Sequence, residues 1–246
     1  MTGLADVEFA RFLAENSYHP RSSRHGDALC RMFLADMQSQ CPAFAKAAAE
    51  DEIVFRANFT IDPDSFDRWN ADLVIGPPLT PPTAEATRLG SIADGDPREV
   101  WLAIDAKTIM TEHGKARRNR QRDLNSFHDI LHRKNPSTIV GGLLVVNISP
   151  HFQTPLARTS KGITTHRNIE RLVAEIVGLM EAIPRSAAQP GTAGIEGIGL
   201  IVVSHSNVAG EDTELVTRSP APAGDHPLSY VSFLQAMCTA FSTRFG

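Results

Sequence analysis

The chain has 246 residues, of which 42% are hydrophobic and 21% charged, with a formal net charge of −4. That length and balance fit one large domain with a sizeable buried core. A negative net charge excludes a global field that would draw the protein onto nucleic acid or an anionic membrane, so any polyanion binding must come from local patches.

Three cysteines, Cys30, Cys41 and Cys238, form no CxxC pair. An odd count argues against a disulfide framework and for reduced thiols in a cytosolic compartment. The N-terminal MTGLADVEFARF carries acids where a signal peptide carries basic residues. No run approaches the roughly 18 apolar residues that span a bilayer. A soluble cytoplasmic protein without membrane partners is therefore expected.

Residues 4–16 and 26–40 have helical spacing, the second placing Leu29, Met32, Phe33 and Met37 on one stripe. Strand-like segments follow at 53–61, 71–76 and 99–107. The Pro- and Gly-rich stretch 77–98 between the last two reads as a surface insertion. Residues 115–134 read as a long basic helix stopped by Asn135-Pro136. The nearly all-apolar TIVGGLLVVNI at 138–148 reads as a strand buried on both faces. Beyond it come an amphipathic helix at 166–183, a buried strand at 198–204, a loop-like stretch at 205–226 and a closing helix at 227–244. Hairpin strands followed by a helical crossover predict an α/β fold, a three-layer α/β/α sandwich around a central mixed sheet.

One strand ends unusually. In the run AIDAKTIMTEHGKARRNRQR, alternation puts Trp101, Ala103, Asp105 and Lys107 on one face, and Leu102, Ile104 and Ala106 on the other. Unpaired buried charges are unfavourable by several kcal/mol, so Asp105 and Lys107 need partners or a cleft. Upstream, Asp72 opens the strand DLVIG and would supply a second carboxylate if the strands are neighbours. Two carboxylates and an amine suit metal-assisted phosphodiester hydrolysis. The carboxylates hold Mg²⁺, the metal activates water, and the lysine stabilises the transition state. A plain salt bridge at a strand end is the bland alternative.

Asp72…Asp105-Ala106-Lys107, followed by a basic helix and an apolar strand, resembles the D…(D/E)xK signature of the PD-(D/E)xK nuclease superfamily, which includes restriction and phage-defence nucleases. The resemblance covers about residues 25–148 and implies a restriction-endonuclease-like fold in a single nuclease domain, with 149–246 extending the sheet and helices. It implies that Asp72, Asp105 and the Ala106 carbonyl bind Mg²⁺, with Mn²⁺ able to substitute, and that Lys107 is catalytic. Asp27, in HGDALCRMF, is the candidate extra acid, although a helix N-cap role would equally explain it. The proline usual before the first acid is absent, since Ala71 precedes Asp72. Pro63-Asp64 matches it literally but lacks a following apolar strand.

Lys115, Arg117, Arg118, Arg120 and Arg122 form a positive run with no acid before Asp123. Surface helices usually interleave acids, so a phosphate backbone is the expected partner, with His113 and Lys115 at the cleft. HDILH at 128–132 shares the histidine spacing of zinc proteases but lacks the glutamate and a third ligand, and reads as a solvated or packed helix face. The glycines of GIEGIGLIV precede their strand, so they read as a turn and not a phosphate loop. Ser204-His205-Ser206 lacks a nucleophile elbow.

The expected function is Mg²⁺-dependent DNA endonuclease activity in restriction or antiviral defence, in a homodimer or higher homo-oligomer. An activating ligand or partner protein is compatible with this. The alternative is a nucleic-acid-binding or assembly subunit that keeps the fold without the chemistry.

Overall fold

The computed structural model describes residues 3–62, 68–111, 113–155, 162–186 and 194–246. Three helices come first: α1 (Ala5–Glu15), α2 (Arg24–Gln40) and α3 (Pro42–Ala49). The strands β1 (Val54–Ile61), β2 (Trp69–Gly76), β3 (Arg88–Leu89), β4 (Ile92–Asp94) and β5 (Leu102–Ile109) follow. Helix α4 (His113–Lys134) leads into β6 (Ile139–Asn147), then the small hairpin β7 (His151–Gln153) and β8 (Ile163–Thr165). Last come α5 (Ile169–Glu181), β9 (Gly197–Ser204), β10 (Glu214–Leu215) and α6 (Tyr230–Phe245).

Eight strands form one mixed sheet in the order β10-β9-β6-β5-β2-β1-β4-β3. The centre, β5, β6 and β9, is parallel, while β2 is antiparallel to both β1 and β5. All nine residues of β6 are buried, which is why its sequence is apolar on both faces. Helices cover both sides. Phe9, Phe33, Phe44 and Phe233 of α1, α2, α3 and α6 pack on one face with Leu73, Ile104 and Leu143. Leu124, Phe127, Val173 and Ile176 of α4 and α5 pack on the other with Val74, Ala103 and Leu144.

Several expectations need correction. Residues 77–98 are more than a surface insertion. They add β3 and β4 to the sheet edge, β4 parallel to β1, with Ile92 and Ala93 fully buried. Helix α3 was not expected, although its PAFAKAAA has proline at the first turn and a run of strong helix formers. Cys41, at the α2–α3 junction, is disulfide-bonded to Cys238 on α6 across a Cα separation of 5.4 Å, leaving buried Cys30 as the free thiol. An odd cysteine count cannot exclude one pair. Trp101 precedes β5 and leaves the face that alternation assigns it, stacking on Phe245 of α6 at 4.4 Å.

The glycines read as a turn also prove to have a packing role. Gly197 and Gly199 lie inside β9, where an added Cβ would come within 3.1 Å of the Phe233 ring. Their lack of a side chain lets α6 sit directly on the sheet. No helix among the described residues is long and apolar enough to cross a membrane.

A buried polar cluster ties α6 to the start of β9. Glu196 accepts from Arg244 Nη2 at 2.7 Å and from the Val140 amide at 2.7 Å, and both charged side chains are almost fully buried. Burial raises the Glu196 pKa, but hydrogen bonds from His132, Val140 and Arg244 outweigh it and hold the carboxyl below its ordinary value. Removing one partner of such a pair strands the other. Arg244→Ala should therefore lower unfolding free energy by roughly 3–5 kcal/mol in urea titrations, and Glu196→Gln by less.

Candidate active site

The sheet forks at the charged residues, which lie within β5 (Leu102–Ile109) and not at a strand end as the sequence suggests. Strand β2 pairs with β5 only from Leu73↔Ile104 to Ile75↔Leu102, whereas β5 runs beside β6 along its whole length. The same register carried one residue further sets Asp72 opposite Asp105. There Asp72 Oδ2 accepts the Ala106 amide at 2.7 Å, so a side chain takes the hydrogen bond that a neighbouring backbone would otherwise receive. Strand β1 is disturbed at the same level. Its ladder to β2 skips Asn58, which sits at φ 53°, a left-handed geometry that asparagine tolerates better than most residues.

Lys107 reaches both carboxylates, Asp105 Oδ1 at 2.5 Å and Asp72 Oδ2 at 3.2 Å. The three expected side chains therefore converge on one point and do not diverge across the sheet. Asp105 is 0% exposed and its Oδ2 has no hydrogen-bond partner. Burial pushes its pKa up to about 6 against the pull of Lys107, and the Asp72 charge pushes the same way. The Trp69 indole approaches closely enough to favour the ionised carboxylate in small part. Burial also opposes the Lys107 charge, but Asp105 and Asp72 outweigh it and hold that pKa above its ordinary value.

Asp72, Ala106 and Lys107 line a cleft of about 490 Å³. Asp105 lies beneath it. The far wall is the first turns of α4, whose Lys115, Ala116, Asn119 and Arg120 face the opening at helical spacing. Arg120 binds Asp123 at 2.9 Å through Nη1 while its buried Nε has no partner. Helical geometry divides the rest of the basic run. Arg117 is tied to Glu175 of α5 at 2.7 Å, whereas Arg118 and Arg122 are exposed. With exposed Lys115 they form one stripe at spacings of three and four.

Two further candidates have structural partners of their own. His113 is 2% exposed, bonded through Nε2 to the Asn147 carbonyl at 2.6 Å, and packed edge-on against His166. Burial pushes its pKa down to about 4, so it is a neutral buried ring and presents nothing to a phosphate backbone. Asp27 is not a helix cap, because α2 begins at Arg24. Its carboxylate accepts from Ser23 Oγ at 2.9 Å and Asn58 Nδ2 at 3.0 Å, which links it to the disturbed point of β1 and, through Ser23, to the rim of the cleft. Pro63-Asp64 lies outside the described residues. His132 of HDILH is bonded to the Thr138 carbonyl at 3.0 Å, beside Glu196.

Tyr18, His25, Phe152 and Thr154 also line the cleft. They come from segments more than a hundred residues apart, and no local pattern marks them. Only the fold brings them together.

The donors suit a hard cation. Asp105 Oδ2 is unpartnered, Asp72 is adjacent, and carboxylate and carbonyl oxygens are the ligands Mg²⁺ accepts while keeping several waters. Among the described residues, no group of three His, Cys, Asp or Glu side chains forms a denser metal site. Comparison with family models, curated proteins and solved structures returns no match to this chain.

The strain on Asp105 has a measurable consequence. Its folded pKa exceeds the ordinary 3.8, so the folded protein binds the proton more tightly and stability falls as pH rises from 3.8 to about 6. In chelator-treated protein at pH 8, Asp105→Asn should raise unfolding free energy by roughly 1–3 kcal/mol. The gain should shrink as pH falls below 6 and vanish below the ordinary carboxylate value. A loss of stability at pH 8 would show that the Lys107 pair more than offsets burial.

Proposed function

We propose that this protein is a metal-dependent endonuclease of the restriction-endonuclease-like fold, hydrolysing DNA phosphodiester bonds in restriction or antiviral defence. The observation that carries the reading is the meeting of Asp72, Asp105 and Lys107 at the sheet fork, beside a cleft walled by cationic α4. A salt bridge needs one acid and one base. Here a second carboxylate, an unpartnered buried oxygen and an adjoining cleft accompany it.

Asp72, Asp105 and the Ala106 carbonyl are the residues that would hold Mg²⁺ or Mn²⁺. A bound Mg²⁺ supplies an activated water and neutralises charge on the phosphate. Lys107 carries a fixed positive charge at the cleft floor, placed for the charge that develops on the phosphate oxygens. Asp105 and Asp72 orient its ammonium. Lys115 and Arg120 supply cations along the cleft, and Arg118 and Arg122 continue the charge outside it. Cutting both strands of a duplex requires two such sites, so a homodimer or higher homo-oligomer is part of the proposal. A requirement for an activating ligand or partner protein is compatible with it.

The alternative is a nucleic-acid-binding or assembly subunit without chemistry, favoured by one observation, that Lys107 is ion-paired to both acids. Plasmid cleavage separates the two. Wild-type protein with Mg²⁺ should nick or linearise DNA, and Asp72→Asn, Asp105→Asn and Lys107→Met should each reduce the rate by about 10²–10⁴-fold while leaving DNA binding intact. Binding without cutting under Mg²⁺ or Mn²⁺ favours the alternative.

The stripe on α4 has its own test. Replacing Lys115, Arg118 and Arg122 with alanine should weaken DNA binding equally for unrelated sequences. The slope of log affinity against log salt should fall by about one per residue removed. An unchanged slope would place the DNA elsewhere.

A further inference from the structure

His25, in the first turn of α2, is 2% exposed, and neither ring nitrogen has a hydrogen-bond partner. Native interiors seldom leave a buried imidazole without a partner, because desolvation is then uncompensated. Its ring packs against Tyr18 at 4.9 Å and edge-on to Phe12 at 5.6 Å. It lines the same cleft as Asp72 and Lys107. Burial pushes its pKa down, against a partial pull from the Asn16 backbone, so the ring is neutral, with one nitrogen drawn toward Asn16 and the other without a partner.

The surroundings narrow what such a ring would meet. Tyr18, Leu29, Met110 and Phe152 give this part of the cleft apolar and aromatic walls. Tyr18 is fixed in place by a 2.6 Å hydrogen bond between its hydroxyl and Thr108 Oγ1. Lys107, Lys115 and Arg120 make the adjoining part cationic. A flat heteroaromatic group with an amide-like edge, attached to a phosphate, matches all three features. A bare phosphate would leave the apolar walls and the acceptor nitrogen unused. The cleft volume of about 490 Å³ falls within the range of small-ligand sites. A base must leave the helical stack to enter such a pocket.

We infer that the inner cleft is a subsite for a single unpaired nucleotide, with His25 hydrogen-bonding the edge of its base and the aromatic walls holding its face. This rests on the nuclease reading for its biological meaning, though mononucleotide binding is measurable without it. The subsite would give the enzyme a preference for single-stranded, frayed or extruded bases next to the phosphate being cut.

The probes are 5′-dAMP, 5′-dCMP, 5′-dGMP and 5′-dTMP, titrated one at a time into full-length protein and followed by saturation-transfer NMR. At least one should bind wild type. His25→Leu should weaken it by about tenfold or more, while His25→Asn, which keeps a donor and an acceptor, should stay within about threefold. Thermal unfolding of His25→Leu should occur at or above the wild-type midpoint, since an apolar group replaces an unpartnered polar one. A purely structural histidine would show the reverse, a lower midpoint or a failure to fold with nucleotide affinity tracking the loss of fold. No binding of any mononucleotide to wild type, or unchanged binding to His25→Leu, overturns the subsite. Plasmid cleavage on the same samples keeps the two readings apart. Cleavage without mononucleotide binding removes the subsite alone, and mononucleotide binding without Mg²⁺-dependent cleavage removes the nuclease reading and leaves the subsite standing.

Discussion

The hydrogen bond from the Ala106 amide to the Asp72 carboxylate is the contact on which the cleft depends. A sheet of eight strands closes every backbone group it can, and an open edge inside it leaves donors unsatisfied. By accepting one of those donors itself, Asp72 lets β2 stop pairing with β5 after Leu73 and so lets the sheet divide. The cleft opens in that division. The left-handed Asn58 and its bond to Asp27 belong to the same local distortion, seen from the neighbouring strand. Backbone strain of this kind clusters where structure is shaped for function, and here it surrounds the residue that makes the fork.

The division also decides the electrostatics. Asp105 has to lie under the cleft floor because β5 continues into the parallel centre of the sheet beside β6. There it loses water, and only Lys107 and, weakly, Trp69 help its charge. Lys107 in turn gains from two acids more than it loses by burial. The arrangement is therefore uneven, with a firmly charged amine, a partly exposed acid and a buried acid whose charge burial disfavours. A cation taking up the free Oδ2 would remove that imbalance, which is why the site reads as prepared for positive charge and not as a finished salt bridge.

The sheet centre, the long helix and the Asp105–Lys107 pair were legible in the sequence because each depends on local pattern, whereas Asp72 joined them only on the condition that its strand is a neighbour. Alternation alone placed Asp105 and Lys107 on one face, and the apolar run of β6 announced a strand covered on both sides. What was not legible depends on contacts distant along the chain. Ile92 and Ala93 look like part of a loop until β1 offers them a parallel edge. Cys41 and Cys238 lie 197 residues apart, and their spacing carries no signal. His113 follows the charged pair closely enough to suggest a place at the cleft, yet the Asn147 carbonyl draws it inward. The arginine run was visible as charge but not as direction. Its division among cleft, α5 and solvent follows from the rotation of 100° per residue and from where Glu175 happens to stand.

The two charged clusters sit at different levels along the parallel strands, and that placement has a reason. Glu196, Arg244, His132 and Thr138 gather where β6 and β9 begin, every partner satisfied and every position structural. Asp105 lies midway along β5, and from Lys107 the cleft opens toward the carboxyl end of the strand, where open α/β sheets bind ligands because the connections leaving the strands diverge there. Rigid ion pairing at one level holds α4, α6 and the sheet in register, so the other level can keep an unpartnered carboxylate oxygen, an unpartnered imidazole and an open fork without losing the fold. Stability and unsatisfied chemistry are separated along the strand axis. The same segregation explains why β6 itself carries no ionisable side chain between them. As the fully buried rod joining the two levels, it has no place where a charge could reach water or a partner.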